Sequence, residues 1–319
     1  MSGMRMTTVF KFGSGKNNFM YSRLRLAEKY LHYYFTAASS RGHGIHSPFV
    51  YDLVRNVLRD RTAYAPYRAI EDLRRQLLRD ETLLEVEDMG AGSLSGRSGQ
   101  RSVASIARHA AKPARLGQLL FRLARHYRPA VVVELGTSLG LSAAYLAAGM
   151  KEGLAGEEGV AGEEGVAAMA AGSGGRAGMK PEDSGGEVGL WTIEGSAAIA
   201  ARAAGHLSAL GPGKVAVVPG NFDEQLEPLL KTLAPVDLAF VDGNHRYEPT
   251  MRYFNSLLSH AGKSAILVFD DIHWSGEMER AWGEIRADRR IPMTIDLFFV
   301  GLVVLGEELK VKQDFSIRF

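Results

Sequence analysis

The chain has 319 residues, 46% hydrophobic and 23% charged, with a formal net charge of +2. Such a composition fits a globular protein of one or two domains with a substantial core. There is no cysteine, which excludes disulfides, cysteine-based zinc sites and a cysteine nucleophile.

Residues 1–20 read as a weakly ordered tail without the continuous apolar core of a signal peptide. The longest apolar run, Leu297 to Leu305, is too short to span a bilayer, so the default expectation is a cytoplasmic protein with no membrane span. Tyr21 to Ala38 is rich in Leu, Tyr and Phe and reads as a helix. SSRGHGIHSPF, Ser39 to Phe49, breaks it. Phe49 to Leu58, Ala69 to Arg79 and Ser105 to His126 read as further helices, the last interrupted near Pro113. We take residues 21–115 as an N-terminal helical cap. Residues 1–128 hold 22 of the 38 Lys/Arg and 10 of the 36 Asp/Glu, so about +12 precedes about −10. This basic region either attracts an anionic partner or consists of solvated helix faces such as RRQLLRD, Arg74 to Asp80.

From Pro129 short apolar runs alternate with helical stretches: AVVVEL, LWTIE, KVAVV, VDLAFVD and SAILVFDD. Near-continuous apolar strands between helices indicate a parallel sheet covered on both faces. MTIDLFFVGLVVLG shows two apolar runs meeting at Gly301 and reads as a closing antiparallel pair, to which QDFSIRF adds. Residues 116–319 therefore form an α/β domain with a Rossmann-like, doubly wound sheet, mostly parallel with an antiparallel C-terminal strand. Lys151 to Gly189 stands apart: it is Gly-, Ala- and Glu-rich and contains AGEEGV twice in tandem. It reads as a disordered insertion.

Two glycine-bearing loops compete as a cofactor site. LEVEDMGAGSLSG, Leu84 to Gly96, follows a run interleaved with acids and leads into a polar loop, so it lacks the strand–turn–helix context. VVVELGTSLGLS, Val131 to Ser142, follows a buried strand and opens the helix LSAAYLAAGM. Ligands in open α/β sheets bind beyond the carboxyl ends of the strands, which favours the second loop. Its partner is Glu194, at the end of LWTIE. The two acids Glu134 and Glu194 are about 60 positions apart, and about 21 once the insertion is removed, the spacing of a ribose-binding acid in doubly wound folds. The loop lacks G-x-G-x-x-G spacing, which argues against a dehydrogenase.

VVVELGTSLGLSAAYLA resembles motif I of class I S-adenosylmethionine-dependent methyltransferases, and WTIEG resembles their motif II. VVPGNFDE, VDLAFVDGNHRYEPT and ILVFDDIHWSGEME resemble the later strand ends of that family. The likeness covers about residues 116–305 apart from the insertion. The D-G-x-H-x-Y stretch, Asp242 to Tyr247, is similar to a branch of small-molecule and sugar O-methyltransferases related to Mg²⁺-dependent catechol and caffeoyl-CoA enzymes. GHGIHSPFVYDLV looks like the N-terminal block of bacterial, Bacteroidetes-type members.

The resemblance implies S-adenosylmethionine as cofactor, contacted by Glu134, Gly136, Thr137, Ser138, Gly140, Glu194, Gly195, Asn221, Phe222 and Asp242. It implies Mg²⁺ held by Asp242, Asp270 and Asp271. Hard Mg²⁺ takes oxygen ligands and would lower the pKa of a bound hydroxyl. Asp271 replaces the Asn usual in the catechol-type enzymes. His245, three residues after Asp242, falls where relatives place a catalytic Lys or His, and imidazole suits a base near neutral pH; a loop histidine is the alternative. His273 is the second candidate base, with Trp274 as a pocket wall or a core residue. His43 and His46 either line a lid or dock a helix. The expected reaction is O-methylation of a small-molecule or sugar-like hydroxyl assisted by Mg²⁺. A metal-independent N- or O-methyltransferase is the alternative, as is a non-catalytic cofactor-binding protein with an anionic or RNA partner. Nucleic acid is not expected, for want of an aromatic-and-basic signature; a homodimer fits.

Overall fold

The computed structural model describes residues 20–38, 47–86, 99–110, 112–158 and 189–319. The GAGS stretch at 90–93, His43, His46 and most of the 151–189 segment lie outside the described residues.

Five parallel strands build the centre of the sheet: β3 (Val131–Leu135), β4 (Gly189–Glu194), β5 (Val215–Pro219), β6 (Val236–Val241) and β7 (Ala261–Asp270). With β8 (Met293–Asp296), β9 (Val300–Val304) and β10 (Gln313–Ser316) they form one eight-stranded sheet, ordered β10-β8-β9-β7-β6-β3-β4-β5. β9 runs antiparallel to both β7 and β8, whereas β10 pairs in parallel with β8. Successive side chains of a strand point to opposite faces. Accordingly, Val132, Leu238, Phe240, Ile266 and Val268 join one core, and Val131, Val133, Ala239, Leu267 and Phe269 the other. Burial on both faces explains why these strands read as unbroken apolar runs.

Helices α5 (Ala114–Tyr127) and α6 (Leu141–Glu158) pack against the first core; α8 (Phe222–Thr232), α9 (Tyr247–Ser259) and α10 (Gly276–Ala287) pack against the second. The fold is the expected α/β, mostly parallel arrangement. α5 and α6 approach closely: a Cβ added at Gly149 would lie 2.3 Å from the Phe121 carbonyl oxygen. α7 (Ala197–Leu210) follows β4.

Ahead of the sheet come α1 (Arg23–Thr36), α2 (Pro48–Leu53) with a π-helical continuation over Val54–Leu58, α3 (Ala65–Leu77), and α4 (Val103–Ala110). The cap is sewn to the sheet's helices. The Arg122 Nε–H donates to the Val57 carbonyl at 2.7 Å, and the Tyr145 hydroxyl donates to Glu71 at 2.7 Å. α1 instead meets the C-terminal strands: Tyr30 and Tyr33 pack on Phe298, and the Ala38 N–H donates to Ser316 at 2.8 Å.

LLEVED, by its interleaved acids at best a half-exposed edge strand, forms β1 (Leu83–Val86) of a separate antiparallel hairpin with β2 (Gly99–Ser102). Two expectations change. The two C-terminal apolar runs meet at Leu297–Phe299, not at Gly301. Gly301 lies inside β9, where a Cβ would come 2.5 Å from the Trp282 ring, so the glycine makes room for an indole rather than a turn. The Gly/Ala/Glu segment also begins in order: α6 continues to Glu158, and Gly189 already belongs to β4.

Candidate active site

The carboxyl ends of β3, β4, β6 and β7 share one edge of the sheet, and the residues that leave them carry the chemistry. β3 turns at Gly136, whose φ is +102°. A Cβ there would sit 2.1 Å from the Asp242 carbonyl oxygen, so the loop can lie against the end of β6 only with glycine at this place. The N–H groups of Gly136 and Thr137 both donate to the Ile193 carbonyl, at 3.0 and 3.2 Å, which holds the loop across the end of β4.

Glu194 then closes the arrangement. One carboxylate oxygen accepts from the Ser138 N–H at 2.8 Å, the other from the Ser196 N–H at 3.0 Å. Burial pushes its carboxyl up, while the backbone donors Ser196 and Ser138 pull it down. Below the loop, the Thr137 hydroxyl donates to Thr192 at 2.6 Å, and Thr192 donates to Glu134 at 2.5 Å. Glu134 is fully buried, and burial lifts its carboxyl to about 7. It supports the loop from beneath rather than facing the cleft.

A cleft opens between this loop and the cap. Gly136, Thr137, Ser138 and Asp242 line it from the sheet, Arg74 and Lys112 from the cap. Gly140, with φ +88°, packs on α7 through Leu207 and Ala203. Gly195 follows Glu194 and is half-buried. Asn221 caps α8, its side chain accepting from the Asp223 N–H at 2.9 Å. The Phe222 ring lies over Gly243 in the loop after β6 and packs edge-on to Tyr253.

The three expected acids do come together. Asp270 is 1% exposed and Asp242 11%, and Asp271 is half-buried. His245 Nε2 is 3.4 Å from Asp242 and 4.0 Å from Asp271. Ser138, Asn244 and Asp271 all have left-handed backbone, with φ between 46° and 57°. Such strain in non-glycine residues gathers at functional sites.

The centre of the cluster is a lysine. Lys112 Nζ is 3.0 Å from Asp242 and 3.3 Å from Asp271, and it contacts Asp270 directly. The carboxylates raise the ammonium's pKa well above its ordinary value despite burial. Burial alone would raise Asp242, but the Lys112 charge and His245 hold it at about 2. Asp270, more deeply buried and beside Asp271, goes the other way and titrates well above the usual carboxylate range. The expectation of Mg²⁺ on Asp242, Asp270 and Asp271 therefore does not fit: an ammonium stands among their oxygens. Among the described residues no group of three or more His, Cys, Asp or Glu side chains is arranged to hold a metal ion.

His273 is committed elsewhere. Its Nδ1 lies 3.1 Å from Glu279 and its Nε2 2.8 Å from Asp296, so neither ring nitrogen faces the cleft acids. Trp274 is half-buried, its carbonyl accepting from the Tyr21 N–H. Lys112 was not among the sequence candidates. It lies in AKPARL, and nothing periodic marks it.

Residues 133–272 match the family model described as a methyltransferase domain. Its span takes in the loop at Gly136, Glu194, Asp242, His245, Asp270 and Asp271, and leaves out Lys112. An uncharacterised protein of Acanthamoeba polyphaga mimivirus is 36% identical over 72 residues, which are 21% of this chain and 33% of the viral protein. The chain thus spans about a third of that relative's length. A methyltransferase from Podospora anserina, solved with S-adenosylhomocysteine, is similar in fold with a TM-score of 0.50 at 12% identity, covering 93% of this chain and 100% of that one. An O-methyltransferase from Streptomyces achromogenes, solved with S-adenosylmethionine, is 19% identical with a TM-score of 0.45, over 81% and 96%. Among the described residues no helix is long and apolar enough to cross a membrane.

Proposed function

We propose that the protein transfers a methyl group from S-adenosylmethionine to a hydroxyl of a small molecule. One observation carries the cofactor: the loop at Gly136 is joined to Glu194 through Ser138, beside the switch between β3 and β6 where the strand order reverses. Glu194 is positioned to accept from ribose hydroxyls, Asn221 and Phe222 to border the base, and Gly136 to Ser138 to let the backbone approach. S-adenosylmethionine supplies a methyl on a positively charged sulfur. In the transfer a carbon–oxygen bond forms as the carbon–sulfur bond breaks, the sulfur keeps the electron pair, and the hydroxyl proton must go to a base.

His245 is the group we assign to that proton. Asp242 lies beside it at 3.4 Å and is held ionised by Lys112 and His245. No step is assigned to a metal.

Calorimetric titration of the purified protein with S-adenosylhomocysteine tests the cofactor site. Glu194→Ala should weaken binding about ten- to a hundredfold, the loss of hydrogen bonds to a charged acceptor worth roughly 1.5–3 kcal/mol. Undiminished affinity in the variant, or no binding by the folded protein, would sink the proposal.

A further inference from the structure

Lys112 comes from the link between α4 and α5, outside the matched domain and more than a hundred residues from the nearest acid it pairs with. A lysine ammonium has three N–H donors and no acceptor. Three carboxylates surround this one: Asp242 at 3.0 Å, Asp271 at 3.3 Å and Asp270 in direct contact. Buried carboxylates cannot share so small a space as anions without a neighbouring cation. A hard divalent ion would require oxygens converging at 2.0–2.6 Å on the volume that the ammonium fills. The side chain is 22% exposed, and Pro113 and α5 follow it at once, so the cap carries the charge to the sheet edge.

We propose that Lys112 is the built-in cation of this acid cluster, standing in place of a divalent metal, so that the site is complete without one. The catalytic part of this inference rests on the methyltransferase reading; the occupancy part does not. With its donors turned to carboxylates, Lys112 is a positioning residue: it fixes Asp242, and through Asp242 the imidazole of His245.

The test is titration of the full chain with Mn²⁺, followed by electron paramagnetic resonance, with S-adenosylhomocysteine calorimetry in EDTA on the same samples. The wild type should take up no stoichiometric Mn²⁺ up to about 1 mM, and its nucleoside affinity should not change with EDTA. Lys112→Ala should gain one Mn²⁺ site, at least about tenfold tighter than any in the wild type, and Asp242→Asn added to it should remove that site. A lysine that merely braced the cap would leave the Mn²⁺ spectrum unmoved. Stoichiometric Mn²⁺ in the wild type, lost on Asp242→Asn, overturns the inference, as does a folded Lys112→Ala that takes none. Should Lys112→Ala fold poorly, rescue by Mn²⁺ supports the inference and failure of rescue overturns it. Absence of nucleoside binding in every sample would instead count against the methyltransferase reading and leave the Mn²⁺ outcome to stand.

Discussion

Gly136 joins backbone geometry to function at a single residue. Its φ of +102° and the 2.1 Å between a notional Cβ and the Asp242 carbonyl make alanine costly twice, once in the backbone and once in overlap with β6. Neither the carbonyl nor the loop can yield freely. The one begins the acid-bearing turn, and the other is tied to Ile193 and Glu194. Gly136→Ala should lower stability by roughly 1–3 kcal/mol, read by urea denaturation. It should also weaken S-adenosylhomocysteine binding at least about tenfold, because the displaced loop no longer offers Glu194 its Ser138 donor. A variant of native stability and affinity would show that the loop relaxes without cost. The glycines and acids of this site were legible because each sits at a strand end, where the buried run announces its own termination. Lys112 was not legible. A cation's partners are set by where a link between two helices arrives in space, and neither helix period nor strand alternation encodes that.

At the scale of elements, α1 is held to the sheet domain by a set of charges as well as by rings. Glu279 on α10 accepts from the Tyr21 hydroxyl at 2.7 Å and Lys29 at 2.9 Å, and His273 bridges Glu279 to Asp296 at the end of β8. Burial works against a charged His273, but Asp296 and then Glu279 outweigh it and raise its pKa above 6.5. A histidine raised in the folded state adds stability that is complete below the unfolded value of 6.5 and disappears as pH climbs through the raised folded value. The melting temperature of the wild type relative to His273→Gln should therefore shrink as pH rises above 6.5, with the imidazole titration followed by NMR. A difference between the two that does not change between pH 6 and 9 would mean the ring is neutral throughout. Sequence foretold α1 from its Leu, Tyr and Phe content, yet not its seat. Its half-apolar surface fits several grooves, and the choice is made by Phe298 and the carboxylates of α10 and β8, which lie more than two hundred residues away. Gly301 misled for a related reason. A glycine between apolar runs signals a turn by default, but this one was selected by the bulk of Trp282.

For the molecule as a whole, the cleft is shared. Arg74, Ala107, Ala110 and Lys112 line it from the cap, and Gly136 to Leu139 with Leu141 and Ser142 line it from the sheet, so a bound nucleoside would touch both. The cap already meets the sheet's helices through Arg122, Tyr145 and the Asp52–His126 pair at 2.7 Å. A ligand seated between them adds to contacts that must all break when either part unfolds. Binding to the native state alone stabilises by about 2.7 kcal/mol at a hundredfold excess over Kd. S-adenosylhomocysteine at that excess should therefore raise the single unfolding transition, and it should slow protease cleavage within the cap as well as within the sheet domain, because local opening of α3 and α4 would cost the ligand its contacts. Glu194→Ala should abolish both effects at the same concentration. If the ligand raises the transition while the cap is cut as fast as before, the cap is not a wall of the cofactor site. Arg74 and Lys112 would then serve the cleft only from outside it.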